Sequence, residues 1–277
     1  GQIDYQRDAN GNLIDYAGGN PLANLALVRG IFFPTPGTTL GGPMAVHTQA
    51  DEYDDEHPAD GKYVENVWWE AKFGPSRVLF VAVNIPGGSN NDADIWYGAP
   101  TMSPEQAAEI EERTGVTLRW LDKAFKHARA NGTVAAVIQT QADMWDLDGQ
   151  PTTHIANYMP FIDRIASLAA GFGKPVLLLD GDSHFYRSDN PLVAGAPCVM
   201  ESGAAEVPCA DDAYARQVPN LPPGVSYNVP NVHRITVHGS TAPLEWIKLT
   251  IDPSAEAGDG AHAFGPFSWQ RVIMPLP

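Results

Sequence analysis

The sequence is poor in positive charge. Its 277 residues hold 17 Lys and Arg against 33 Asp and Glu, a formal net charge of −16. A polyanion of this kind repels nucleic acid and anionic membranes at long range, and no run of Lys or Arg provides a local exception, so nucleic acid is not expected as a partner. No stretch approaches the ~20 apolar residues of a membrane span. The densest run, "VLFVAV", has the length of a strand. Cysteine is scarce as well: Cys198 and Cys209 lie in "APCVMESGAAEVPC", with no CxxC and no nearby His to make a zinc site. Either they form a local disulfide that clips a surface loop, which suits a secreted or periplasmic protein, or they are two buried thiols. The chain opens "GQIDYQ", without an initiator Met or a signal-type segment. It reads as a processed product or a piece of a longer chain.

Several chemical signatures are also missing. "GFGKP" leads from a helix into a strand and has Pro after its Lys, so it is not a phosphate loop. "NIPGGSNND" follows a strand but contains no GxGxxG, and no GxSxG or HExxH occurs anywhere. His233 and His238, five apart on one expected strand, fall on opposite faces and cannot share a metal.

What is present is a layered α/β pattern. "DANGN" at 8–12 reads as a turn, and Pro21 opens a helix through "PLANLALVRGIFF". The acidic run "DEYDDEHPAD" at 51–60 reads as a solvated loop or a loose cation-binding loop. A hairpin is expected with strands over 64–72 and 77–85. Its second strand is apolar nearly throughout, as in a strand covered on both faces. Ser103 caps a long helix, with Pro104 in its first turn and Gln106 placed to close a capping box; Gly132 ends it. "TVAAVIQTQ", a helix over 154–170 and the strand 176–179 follow. Three alternating strands, in "HRITVHGS", "LEWIKLTID" and "FSWQRVI", close the sequence. "NGT" at Asn131 is a sequon and also a common turn tripeptide. Trp68, Trp69, Trp120 and Trp246 are expected in the core or at its edge. The pattern fits one α/β domain over 1–277 with a mixed sheet, without repeat or long linker.

Polar residues gather at three strand ends. "VNIPGGSNND" offers Asn84, Ser89, Asn90, Asn91 and Asp92. "IQTQADMWDLD" offers Gln139, Gln141, Asp143 and Asp146, and "LDGDSHFYRSD" offers Asp182 and His184, with Arg187 close behind. Successive strand ends converge on one crevice in layered α/β folds. Asp and His are ligands for divalent metals, and Asn or Gln carbonyls can supplement them. The plainer reading of each is local: Asp182 and the two Asn as turn residues, His184 as a bonded histidine.

The order of "NPLANLALVRGIFF…GTTLG", "YVENVWW", "VAVNIPGGSNND", "RWLDKAFKHA", "QADMWD" and "PVLLLDGDSHFYRSDNPL" resembles the C-terminal part of a bacterial group of calcineurin-like metallophosphoesterases with a GDNEW-type motif. The resemblance reaches about Leu192 and continues weakly into "HRITVHGS…LEWIKLTIDP". It implies an α/β/β/α sandwich with mixed sheets, its N-terminal part absent from this chain. It also implies two divalent metal ions at strand-end motifs and hydrolysis of a phosphoester small molecule. "GDSH" aligns with the family's GHxH, so His184 matches a metal ligand and Asp182 stands in place of the other His. Gln141 is nearest to the family's lone His. Asn90, Asn91, Gln141 and Arg187 would line the crevice. The DxH, GDxxD and GDNEW-type motifs that the family places ahead of "NPLANLALVRGIFF" do not occur ahead of that stretch in this chain. Either the natural protein is longer, or the fold has lost its metal chemistry and serves as a non-catalytic extracellular structural or assembly subunit. An incomplete sandwich would expose apolar sheet surface, so a further segment, a partner chain or self-assembly is expected to cover it.

Overall fold

The computed structural model describes residues 6–7, 13–14, 21–91, 95–96, 101–146, 152–209, 224–239, 244–254, 258–260 and 262–274. The turn expected at 8–12 and Asp92 lie outside the described residues. Two short strands, β1 (Gln6–Arg7) and β2 (Leu13–Ile14), pair antiparallel, and helix α1 (Pro21–Phe32) follows. The large sheet takes β3 (His47–Thr48), β4 (Val67–Phe73), β5 (Ser76–Ala82), β6 (Ala135–Gln139), β7 (Val176–Asp180), β8 (Arg187–Asp189), β9 (Val199–Ser202), β10 (Ala205–Pro208) and β11 (Val232–Thr236). Their spatial order is β10-β9-β8-β11-β7-β6-β5-β4-β3. The four central strands β5, β6, β7 and β11 are parallel, and both flanks are antiparallel. The sheet is therefore mixed, as the alternation of strands and helices predicts.

Helices α2 (Pro104–Ala130) and α3 (Met159–Phe172) cover one face of this sheet. Ser103 caps α2 by accepting the Gln106 N–H at 3.2 Å. The expected capping box is replaced by longer-range bonds: the Gln106 amide donates to Asn91 O and accepts from the Trp96 N–H. Asn131 caps the other end of α2, so "NGT" is a helix-ending turn here. Gly173 ends α3 with a left-handed φ of 65°, a conformation that costs a Cβ-bearing residue more. Trp120, Leu121 and Phe125 of α2 meet Phe161, Ile162 and Ile165 of α3 over Leu79, Val81, Ile138 and Leu178 of the sheet. Burying each such side chain contributes roughly 1.5–3 kcal/mol.

The opposite face packs against a second, antiparallel sheet of β12 (Glu245–Ile251), β13 (Gly258–Gly260), β14 (Ala263–Gly265) and β15 (Phe267–Ile273), ordered β12-β15-β14-β13. Val78, Val137, Leu177 and Ile235 meet Phe267 and Trp269 there. The central strands are buried on both faces, which is why their sequences are apolar without alternation. The architecture is thus helix layer, mixed sheet, antiparallel sheet. The outer face of the small sheet is exposed at Lys248, Thr250 and Gln270, and Trp246, expected near the core, is 49% exposed there. Trp68 and Trp120 are buried.

Two further expectations change. The exposed apolar surface lies less on the large sheet than on α1 and the loop after it, where Leu27, Val28, Ile31, Phe32 and Leu40 face outward. The acidic run is not wholly solvated either. Asp60 is buried against the Arg119 guanidinium and the Gln49 amide, and Gln49 continues through Asn66 to the backbone of Asn84. This polar chain fastens the loop to the end of β5.

Candidate active-site crevice

The carboxyl ends of β5, β6 and β7 stay zipped together past the strands. Val83 donates to Gln139 O, Ala142 to Ile85 O, Thr140 to Leu179 O and Gly181 to Gln141 O, at 3.0–3.1 Å. Above them opens a cavity of about 320 Å³, lined by Pro86, Gly87, Gly88, Asn91, Gln141, Asp143, Asp146, His154, Asp182, Ser183 and His184. The structure therefore brings Asn91, Gln141, Asp182 and His184 together, from three segments distant in sequence. His154, from the turn of 3-10 helix Thr152–Tyr158, joins them; its sequence surroundings mark it only as part of a helix. The lining holds three carboxylates and neither Lys nor Arg, so the crevice is electronegative.

Asp182 and His184 both take left-handed backbone, φ 70° and 63°, which is uncommon away from glycine and recurs at functional sites. Gln141 Nε2 donates to Asp182 Oδ1 at 2.6 Å, and Gln141 Oε1 accepts the Gly87 N–H at 2.5 Å. On the other wall Ser183 Oγ donates to Asp143 Oδ2 at 2.6 Å. The second Asp143 oxygen accepts from Arg234 Nη1 at 2.5 Å, and the rest of that guanidinium holds Asp189 at 2.7 and 2.8 Å. Burial opposes the charge of Arg234, but Asp143, Asp189 and Asp180 outweigh it and raise its pKa. Asp180, behind the crevice, is fully buried. Its carboxylate oxygens lie beside the Thr236 hydroxyl without a well-formed hydrogen bond to it. Burial first, and then the nearby Asp143 charge, hold its pKa well above the usual carboxylate range, against the opposing pull of Arg234.

Two residues expected in the crevice are elsewhere. Residues 88–91 make a left-handed turn, with Gly88 at φ 62°, Ser89 at 56°, Asn90 at 61° and Asn91 at 67°. Each non-glycine residue there costs roughly 1–2 kcal/mol. The turn aims Asn90 into α2, where its amide donates to Thr114 Oγ1 and its two oxygens accept from Arg113, itself paired with Glu109. Ser89 is held by His154 O and Asn157. Asn90 thus fastens the lip and does not line the cavity. Arg187, placed near a phosphate by sequence, sits fully buried in β8, its guanidinium 5.1 Å from the Phe185 ring. Its position follows from β8 pairing inward with β11 rather than leaving the sheet.

The donor chemistry that lines the crevice includes Asp182 and His184, both of residue types that ligate divalent ions. It does not supply a two-metal centre: among the described residues, no three His, Cys, Asp or Glu side chains converge within ligand distance in the crevice. Such a group does form elsewhere, from Glu201, His238 and Glu245, with donor atoms within 4.8 Å of one another. His238 lies beyond the end of β11 and pairs with Glu201 at 2.9 Å; His233 is bonded to Ser188 instead. Arg271 already spans the same two carboxylates, at 2.9 Å to Glu201 and 2.7 Å to Glu245, and so supplies their counter-charge. Nothing in the sequence flags this group, because its members come from three strand ends that only the sheet stacking joins. Cys198 and Cys209 are bonded as a disulfide across the β9–β10 hairpin. Among the described residues, no helix is long and apolar enough to cross a membrane. Comparison with protein-family models, curated proteins and solved structures finds no match to this chain.

Proposed function

We propose that this chain is of metallophosphoesterase type and that its strand-end crevice takes a divalent cation at Asp182 and His184, and through that cation the phosphoryl group of a small phosphoester. The observation that carries this reading is the meeting of Asp182, His184, Gln141 and Asn91 in one cavity at the ends of three parallel strands. The charge balance points the same way. Beyond Asp143, which Arg234 balances, Asp146 and Asp182 line the cavity, and a metal ion would offset their repulsion of a phosphoester. When bound, such an ion supplies Lewis-acid polarisation of a phosphoryl oxygen. The chain's own part is to orient Asp182 through Gln141 and to hold Asp143 in place through Arg234 and Ser183. The donors present serve a single ion, so no hydrolytic step is assigned to this chain on its own. The disulfide supports an oxidising, secreted or periplasmic setting.

The test is Mn²⁺ titration by calorimetry. The wild-type chain is expected to bind one Mn²⁺, and His184→Ala and Asp182→Asn to lose it while keeping their Tm. A folded wild-type chain that binds none overturns the reading. Turnover of bis(p-nitrophenyl) phosphate by the Mn²⁺-loaded chain would extend it to catalysis.

A second reading is favoured by a different observation, the outward apolar face of α1: a non-catalytic extracellular assembly subunit on a degenerate phosphoesterase fold. It predicts self-association that the double substitution Leu27→Lys, Ile31→Lys abolishes. A wild-type chain that stays monomeric by light scattering at high concentration counts against it.

A further inference from the structure

We propose that Gln141 is the positioning residue of the crevice, its side-chain amide bridging the Gly87 N–H and the Asp182 carboxylate so that the carboxylate is held facing the cation site. The inference rests on the metal reading given above. Both ends of the amide are used: Oε1 accepts from Gly87 N at 2.5 Å and Nε2 donates to Asp182 Oδ1 at 2.6 Å. The main chain of the segment is fixed as well, since Gln141 O accepts the Gly181 N–H and Ala142 N donates to Ile85 O. The amide therefore starts from a fixed point between the two walls it joins.

Side-chain chemistry at this position is restrictive. A carboxylate could accept from Gly87 but would repel Asp182. An ammonium could donate to Asp182 but would leave the Gly87 N–H without an acceptor. A primary amide does both. Metal ligands are commonly oriented by an outer hydrogen bond of this kind, and its loss typically costs about 10–100-fold in affinity. Gln141 is exposed, so its replacement opens no core cavity and a local effect can be told from a loss of stability.

Gln141→Leu keeps the volume and removes both polar ends. Two measurements test it. In metal-free protein, hydrogen exchange of the Gly87 amide is expected to accelerate by about 10-fold or more, with the Ile138 and Leu178 amides and the Tm unchanged. In the Mn²⁺ titration, the dissociation constant is expected to rise by about 10-fold or more. Unchanged Gly87 exchange overturns the bridge. Normal wild-type binding with an unaltered Gln141→Leu variant overturns the positioning role alone. Absence of Mn²⁺ binding by the wild-type chain overturns the metal reading and the role with it.

Discussion

The Asp182 carboxylate rests directly on the Cα of Gly87: a Cβ added there would lie 2.5 Å from Oδ1 and 2.7 Å from Cγ. Position 87 is therefore closed to any side chain while Asp182 keeps its place. Because the obstacle is a side chain and not backbone, Gly87→Ala is expected to displace Asp182 rather than unfold the chain. Global stability should fall by no more than about 1–2 kcal/mol, while Mn²⁺ affinity drops by about 10-fold or more. Chemical denaturation and metal titration of the same variant separate the two effects.

Arg234 is buried between Asp143 and Asp189. Arg234→Met removes the charge that both carboxylates depend on and leaves them buried without compensation. The expected cost is about 3–5 kcal/mol, read as a lower urea midpoint. Asp189→Asn, which keeps the shape and one acceptor, should cost less.

The raised pKa of Asp180 fixes the sign of a pH effect. Below the unfolded value, about 3.9, the group is protonated in both states and contributes nothing. Above it the unfolded chain ionises while the folded chain keeps its proton. Stability then declines as pH rises, by up to about 1.4 kcal/mol per unit, until the folded pKa is reached. Asp180→Asn should remove this decline. Denaturant midpoints of metal-free protein across that range, wild type against variant, check it; parallel curves for the two would count against it.

The disulfide closes a short loop, with a sequence separation of 11. Its reduction should lower stability by at most about 3 kcal/mol, and the β9–β10 hairpin at the sheet edge should lose amide protection first. The crevice, fastened to the other side of β11, is expected to keep its Mn²⁺ affinity under reducing conditions.

Much of the fold is legible in the sequence where burial is two-sided or a cap is local. The apolar runs of β5, β6 and β7 announce central strands, and Ser103 with Pro104 marks the start of α2. The crevice is legible because parallel strand ends converge whatever their loops do. What escapes is the direction of individual side chains. Asn90 reads as a crevice residue, yet the left-handed turn rotates it into α2. Asp60 reads as solvated because its partner Arg119 is 59 residues away. Glu201, His238, Glu245 and Arg271 carry no local signal, since their meeting depends on how one sheet lies on the other.

The main-chain bonds that continue past β5, β6 and β7 have a consequence for change over time. The floor of the crevice is held by peptide groups, which every residue except proline can supply. Side chains at its rim can then be exchanged without loosening the platform beneath them. A scaffold of this kind can shed one ligand, acquire another or fall silent as a catalyst, and still present the same shaped recess to whatever comes next.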